Sequence, residues 1–230
     1  RPSLADFALA RARRIYPGLW VAIVLTVFVL GAGFTTLSLA DYLGHPRTWF
    51  YVLKNGTLLF GFVDRLPGVF TDLAYPGVVN GSLWTLPIEV RLYVSLMVLQ
   101  AALLWWRRRR PAAPLGPVVA ALALGCVSAV AWQGEEASSA LRFSALFFVG
   151  AALQLYRQHV AFTYRGLAVA SALLALCSLS VDLFAAAFVS AGAYAVLCLA
   201  YLPGGGLRRY NRLGDYSYGL YIYAFPVQQL

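Results

Sequence analysis

The sequence predicts an all-α integral membrane protein, a polytopic transmembrane bundle of about seven helices. Two observations lead to this prediction. Hydrophobic residues make up 61% of the 230 residues, and the mean hydropathy is +0.71. The basic residues are arginines except for Lys54, and most of them gather in clusters that are separated by pairs of long apolar stretches.

The arginine clusters predict the orientation of the bundle. Cytoplasmic loops of membrane proteins carry an excess of positive charge. If each cluster is cytoplasmic, this rule is obeyed four times in a row, and each pair of apolar stretches leaves the cytoplasm and returns to it. The clusters are Arg11, Arg13 and Arg14; Arg107 to Arg110; Arg157 and Arg165; and Arg208, Arg209 and Arg212.

Each apolar stretch is interpreted as a helical span, because a bilayer core about 30 Å thick needs roughly 20 residues of helix. The first span leads outward from Arg14, and a long outer segment, 35–84, precedes the second. The fourth and fifth spans are short, so we expect either to be tilted, kinked or partly re-entrant. The predicted spans are 17–34, 86–106, 115–132, 141–156, 166–181, 184–202 and a last one from near Asp215 to the end.

The composition also excludes other classes of protein. Barrel strands would alternate in polarity over about ten residues, whereas these stretches are continuously apolar. The net charge of +9 does not indicate a nucleic-acid partner, because the arginines lie at span ends, where they meet anionic lipid headgroups. No metal site is expected, since the cysteines have neither paired nor metal-like spacing and fit small buried apolar positions. They are Cys126, Cys177 and Cys198.

The segment 3–17 is the first candidate site. Ser3 and Asp6 resemble a capping box, and the short helix that follows carries Arg11 and Arg14 on one face. Pro17 is expected to break or kink this helix. One interpretation is a positive-inside anchor. The other is an anion site, because an arginine guanidinium binds phosphate in a bidentate manner and three arginines within four residues can bind a polyphosphate.

The segment 80–91 is the second candidate site. Pro87 fits the first turn of the second span, which places Glu89 in the same turn, where the helix dipole favours a carboxylate. Trp84 is expected at the headgroup level. One interpretation is an aromatic belt residue with a dipole-compensating glutamate. The other is a glutamate at the outer mouth of a cavity, where it acts as a base or orients one.

The segment 214–226 is the third candidate. Its tyrosines form a stripe with polar tips, in which Tyr218 and Tyr221 are three residues apart. Such a stripe can form hydrogen bonds inside a bundle. The alternative is that the stripe serves only packing.

Taken together, the three segments resemble the acyltransferase-3 family in the same order along the chain. The family consists of integral membrane enzymes that O-acylate glycans and other acceptors, mostly in bacteria. The motifs are Arg-Ala-Arg-Arg-Ile-Tyr-Pro at 11–17, Gly-Ser-Leu-Trp-Thr-Leu-Pro-Ile-Glu at 81–89 and Tyr-Ser-Tyr-Gly-Leu-Tyr-Ile-Tyr-Ala-Phe-Pro-Val at 216–227.

The resemblance implies roles for these residues. The family takes acyl-CoA from the cytoplasm as a co-substrate, which implies an arginine site for the donor phosphates and no permanently bound cofactor. Acetyl-CoA is the expected donor. The candidates are Arg11, Arg13 and Arg14 for the donor, Glu89 for catalysis, and Ser82, Trp84, Tyr218 and Tyr221 for the acceptor pocket.

The sequence departs from the family pattern in two places. The catalytic histidine of the family lies in an earlier transmembrane helix, and nothing in this chain matches it. We therefore expect residues 1–230 to be a single acyltransferase-like domain that lacks its N-terminal helices and is inactive alone. The closing motif often has histidine before Phe-Pro, and here that position is Ala224.

The predicted function is transfer of an acyl group, expected to be acetyl, from cytoplasmic acyl-CoA to a hydroxyl of a glycan or another cell-envelope acceptor. The expected location is the bacterial inner membrane, which the chain crosses several times in contact with lipid. A multi-span transporter or lipid flippase is the alternative, although such proteins usually show repeats that are not visible here. A non-catalytic membrane scaffold is a third interpretation.

Overall fold

A computed structural model describes residues 3–73, 75–107, 115–204 and 216–230. The described residues are helical apart from loops and two isolated β-bridges, Thr35–Val69 and Arg65–Val78, which confirms the all-α class. The α-helices are α1 Leu4–Val24, α2 Ala32–Phe34, α3 Leu39–Gly44, α4 Pro46–Thr57, α5 Leu86–Arg107, α6 Leu115–Gln133, α7 Ser139–Leu155, α8 Tyr164–Cys177, α9 Val181–Ala187, α10 Ala193–Tyr201 and α11 Ser217–Gln228. The predictions for Arg108 to Arg110, Arg208, Arg209, Arg212 and Asp215 lie outside the described residues.

Four continuous helical segments are long and apolar enough to cross a membrane: Leu4–Phe34, Gly81–Trp106, Leu115–Glu136 and Val181–Tyr201. They correspond to the first, second, third and sixth predicted spans. The helices at the fourth and fifth positions, α7 and α8, are shorter, with 17 and 14 residues, and α11 has 12. A membrane protein is therefore supported, while the total of seven spans stays a prediction.

The chain forms two compact units. The first comprises Arg1–Ala101 with Asp215–Leu230, and the second comprises Ala102–Gly214. All three motifs belong to the first unit. Its core is built on α1, through Ile15, Leu19 and Ile23, and on the α11 residue Ile222.

The start of α1 follows the prediction, and its middle does not. Ser3 and Asp6 form the expected capping box. The expected break at Pro17 does not occur, because α1 continues through it to Val24. Tyrosine hydroxyls from α11 donate to α1 carbonyls on both sides of the proline, at Ile15 and Gly18, and hold α11 against this part of α1.

The segment after the first span does not stay beyond the end of α1, contrary to the prediction of a long outer segment. Helix α4 runs back beside α1. Its last residue, Thr57, accepts a hydrogen bond from Tyr16 at 3.1 Å, while Trp49 near its start contacts Phe28 at 6.3 Å between ring centroids. The chain is therefore brought back to the level of the arginine motif before α5 begins.

The close contact of α4 with α1 depends on Gly56. A Cβ atom at this position would lie 2.7 Å from the indole ring of Trp20. The sequence gives little sign of this arrangement, because α4 is only 12 residues long and mixes polar with apolar side chains. A helix of this kind fails every length criterion for a span.

Buried polar side chains hold the rest of segment 35–84 in place. The Tyr42 hydroxyl donates to the Val27 carbonyl at 3.0 Å, where the helix after α1 takes a π-helical turn, Leu25–Gly31. Burial raises the pKa of Tyr42 to about 12, so this group remains a protonated donor. The Asn55 amide holds the loop that follows α4 by exchanging two hydrogen bonds of 2.8 Å with the Val63 backbone.

Asn80 joins the end of this loop to α11. Its amide nitrogen donates to the Ile222 carbonyl at 2.9 Å, and its side-chain oxygen accepts from the Ser82 N–H at 3.1 Å. The residue is fully buried. The bond to Ile222 joins residues 142 positions apart in the chain, so Asn80 fixes the third motif against the second.

Replacing Asn80 with Ala should destabilise the first unit. The change leaves the Ser82 N–H and the Ile222 carbonyl without their side-chain partner, and an unsatisfied buried group costs about 1–3 kcal/mol. We expect a lower thermal midpoint of the protein in detergent. The control is Ser95→Ala, which removes an exposed hydroxyl that bonds within its own helix and should have almost no effect. Equal midpoints for both variants would contradict the assignment.

In the second unit, α6 and α7 pack together, with Val130, Ala145 and Val189 among the buried residues. The Asp182 carboxylate accepts a hydrogen bond from the Glu135 N–H at 2.8 Å. This bond joins the turn after α6 to the start of α9.

Candidate active site

The three motifs meet at one cavity of the first unit, with a volume of about 210 Å³. Each motif contributes lining side chains, although up to about 200 residues separate them along the chain. The lining residues are Arg14 and Ile15 from α1; Thr85, Leu86 and Glu89 from the start of α5; and Ser217, Tyr218 and Tyr221 from α11.

The cavity has an apolar floor and a polar mouth. Ile15 and Leu86 are buried, whereas Arg14, Ser217 and Tyr221 are exposed. Pockets for drug-sized ligands measure about 300–1,000 Å³, so this cavity suits a small group.

The helix start places Glu89 at this cavity. A 3₁₀ turn, Gly81–Thr85, leads directly into α5, and Pro87 occupies its first turn, as predicted. Glu89 therefore lies where the helix dipole favours a negative charge. Its side chain is half-buried, and its Oε1 atom accepts a hydrogen bond of 2.5 Å from the Tyr93 hydroxyl, one turn further along α5.

The two predicted tyrosines line the cavity with different hydrogen-bond partners. The Tyr218 hydroxyl donates to the Ile15 carbonyl at 2.9 Å, which docks α11 on α1. The Tyr221 hydroxyl lies 2.8 Å from the Thr85 hydroxyl, and either oxygen can donate to the other. This hydroxyl pair can rearrange to donate a proton to a third oxygen in the cavity.

The three arginines of the first motif have separate environments. Arg14 lines the cavity. The Arg11 guanidinium lies over the Tyr93 ring, 4.9 Å from its centroid, and 5.3 Å from that of Phe7. Arg13 is exposed and does not line the cavity.

Arg14 and Glu89 line the same cavity, which corrects the predicted arrangement of the first two spans. From the sequence, the arginines are expected at the cytoplasmic side and Glu89 at the outer mouth. That placement is wrong because α4 returns the chain along α1, so that α5 starts beside the arginine motif and not at the far end of the first span. The two charged groups therefore belong to one site.

Two predicted pocket residues lie elsewhere on the same turn. Ser82 bonds through its backbone N–H to the Asn80 side chain, and Trp84 is 39% exposed. The described lining of the cavity contains neither. The lining contains Thr85 instead. Its hydroxyl belongs to the second motif, so the sequence offered it as a further candidate. Ser217 was equally visible within the third motif.

The groups at the cavity match the needs of acyl transfer. Transfer to a hydroxyl requires a base for the hydroxyl proton and donors for the negative charge that develops on the carbonyl oxygen. Glu89 is placed to supply or orient the base. The hydroxyls of Thr85 and Tyr221 are available as donors, and Arg14 brings a positive charge.

Comparison with known proteins confirms the resemblance that the motifs predicted. The family model of the acyltransferase domain of the acyltransferase-3 family matches residues 1–230. The chain is similar to an O-acetyl transferase of Shigella phage Sf6, with 28% identity over 244 residues, which covers 99% of this chain and 67% of that protein. No solved structure matches the chain. The predicted enzyme class, an O-acyltransferase, is thereby supported.

Proposed function

Because this chain belongs to the acyltransferase-3 family, we propose that it transfers an acetyl group from cytoplasmic acetyl-CoA to a hydroxyl of a cell-envelope glycan at the bacterial inner membrane. The observation that carries this proposal is the meeting of Arg14, Glu89 and the Thr85–Tyr221 hydroxyl pair at one small cavity. Each part of the reaction then has a named group.

The acceptor is activated at Glu89. Its carboxylate takes the proton of the acceptor hydroxyl, or orients the base that takes it, as the oxygen attacks the thioester carbonyl. The Thr85–Tyr221 pair donates to the oxygen on which negative charge develops. The C–S bond then breaks, the acetyl ester forms, and the coenzyme leaves as a thiolate that takes up the proton.

The donor is bound through its phosphates at the mouth of the cavity. Arg14 is exposed there, and an arginine fork binds phosphate oxygens in a bidentate manner. The small volume of the cavity supports a short acyl group such as acetyl over a long fatty acyl chain. The relative from Shigella phage Sf6 is named as an O-acetyl transferase, which supports the same choice.

The proposal is tested with the full-length enzyme, meaning this chain with any residues that flank it in the natural protein. Membranes that contain the enzyme are incubated with acetyl-CoA labelled in the acetyl group, and label in envelope glycan is counted before and after mild base, which cleaves esters. We expect base-labile label that depends on the enzyme. Label that resists base, or its absence when the protein is folded and binds acetyl-CoA, would contradict the proposal.

Acyl length is tested in the same assay. Labelled palmitoyl-CoA should support much slower transfer than acetyl-CoA, since a long chain does not fit the cavity. Equal rates for the two donors would show that the cavity does not hold the acyl group.

A further inference from the structure

Glu89 is held by side chains that do not themselves line the cavity. Tyr93 does not line the cavity, yet its hydroxyl donates to the Glu89 carboxylate at 2.5 Å. This is a short, charge-assisted hydrogen bond. It also restricts the rotation of a side chain that has three rotatable bonds.

Tyr93 is in turn held by α1. The Arg11 guanidinium lies 4.9 Å from the Tyr93 ring centroid and 5.3 Å from that of Phe7. The two rings meet edge to face, 6.1 Å apart. Cation–π contacts of this type contribute about 0.5–2 kcal/mol, with the larger values where water is excluded. Phe7, Arg11 and Tyr93 therefore form one stack that joins α1 to α5 directly behind Glu89.

The cation also affects the hydrogen bond itself. A positive charge over a phenol ring draws electron density from the oxygen and makes its O–H a stronger donor. Arg11 thus strengthens the bond from Tyr93 to Glu89, and it does so without contacting a substrate. Arg11 is also half-buried and does not line the cavity, whereas Arg14 does.

We propose that Tyr93 is the positioning residue of Glu89 and that Arg11 acts through Tyr93, while Arg14 is the arginine that meets the donor. This division rests on the proposed function, since it assigns Glu89 a role in its charged form. It differs from the expectation that all three arginines of the first motif bind donor phosphates.

The test is Tyr93→Phe in the full-length enzyme, which removes the hydroxyl and keeps the ring stack. Without the donated hydrogen bond the Glu89 carboxylate is no longer held in one orientation at the cavity. The kcat for acetyl transfer should fall by about 10-fold, the equivalent of one hydrogen bond to a charged group. The Kd of acetyl-CoA should stay unchanged, because Tyr93 touches no part of the cavity.

Arg11 variants test the second half of the proposal. Arg11→Gln should lower kcat by a smaller factor than Tyr93→Phe does, and Arg11→Lys, which keeps a cation, should restore part of the loss. Neither should weaken acetyl-CoA binding as Arg14→Gln does. A large rise in Kd for Arg11→Gln with no change in kcat would overturn the proposal.

Tyr194→Phe is the matched control. It removes a tyrosine hydroxyl that donates to the Ala161 carbonyl at 2.8 Å in the second unit, and it should leave kcat unchanged. Thermal midpoints of all variants in detergent report whether a change is only structural. An unchanged kcat in a folded Tyr93→Phe enzyme would refute the positioning role.

Infrared spectroscopy separates failure of this inference from failure of the proposed function. The carboxylate stretch of Glu89, identified by its loss in Glu89→Gln, reports the hydrogen bonding of this side chain without any reaction. Tyr93→Phe should shift that band even if no acetyl acceptor is found. An unchanged band would refute the inference whatever the enzyme transfers.

Discussion

Replacing Glu89 with Gln should lower kcat for acetyl transfer by about 100- to 10,000-fold, the usual loss when a positioned acid–base group is removed. Glutamine keeps the size of the side chain and can still accept a hydrogen bond from Tyr93, so the cavity should keep its shape. It cannot take up the hydroxyl proton. We expect the KM for acetyl-CoA to change little, because the carboxylate acts on the acceptor.

The measurement is initial-rate kinetics with labelled acetyl-CoA at saturating acceptor. Glu136→Gln is the matched control, since it neutralises an exposed carboxylate of the second unit and should leave kcat unchanged. A Glu89→Gln enzyme that keeps most of its kcat would remove Glu89 from the mechanism. A loss that appears only in KM would make it a binding residue.

Replacing Arg14 with Gln should raise the Kd of acetyl-CoA by about 10- to 100-fold. Hydrogen bonds to charged groups contribute about 1.5–3 kcal/mol, and each 1.4 kcal/mol is a factor of ten in affinity. Arg14 is the arginine of the first motif that lines the cavity. The effect should therefore exceed that of Arg13→Gln, which removes an exposed side chain outside the lining.

Calorimetry or a filter assay with the detergent-solubilised enzyme measures this Kd. Arg157→Gln, an exposed arginine of the second unit, controls for the loss of one positive charge. Acetylpantetheine, which lacks the phosphates of the coenzyme, identifies what Arg14 contacts. If Arg14 binds phosphate, the variant should use acetylpantetheine as well as the unchanged enzyme does. If both donors lose kcat equally, Arg14 acts at the carbonyl oxygen, and the phosphate assignment is wrong.

The sequence identified most of the groups at the site but not their arrangement. Arg14, Glu89, Tyr218 and Tyr221 were each singled out, and all four line one cavity. The proposed partner of Glu89, Tyr93, was missed. It is one turn from Glu89 on the same helix, and its spacing of four residues was a usable signal.

The placement of the site within the bundle was predicted wrongly for a specific physical reason. The length of apolar stretches and the positive-inside rule identify only helices that span the membrane. Helix α4 is too short and too polar to be identified in this way, yet it packs on α1 through Gly56 and Tyr16. Counting spans alone therefore placed Arg14 and Glu89 at opposite faces, although a single cavity contains both.

By itself the sequence determined the helical membrane class, the family and the identity of the charged groups, because these depend on composition and on local spacing. Only the tertiary structure decided that the motifs share a cavity, that Pro17 leaves α1 continuous and that Arg11 faces Tyr93. The shared cavity and the Arg11–Tyr93 pair depend on contacts between residues far apart in the chain, such as that of Tyr218 with Ile15. Contacts of that kind leave no periodic pattern in the residues on either side.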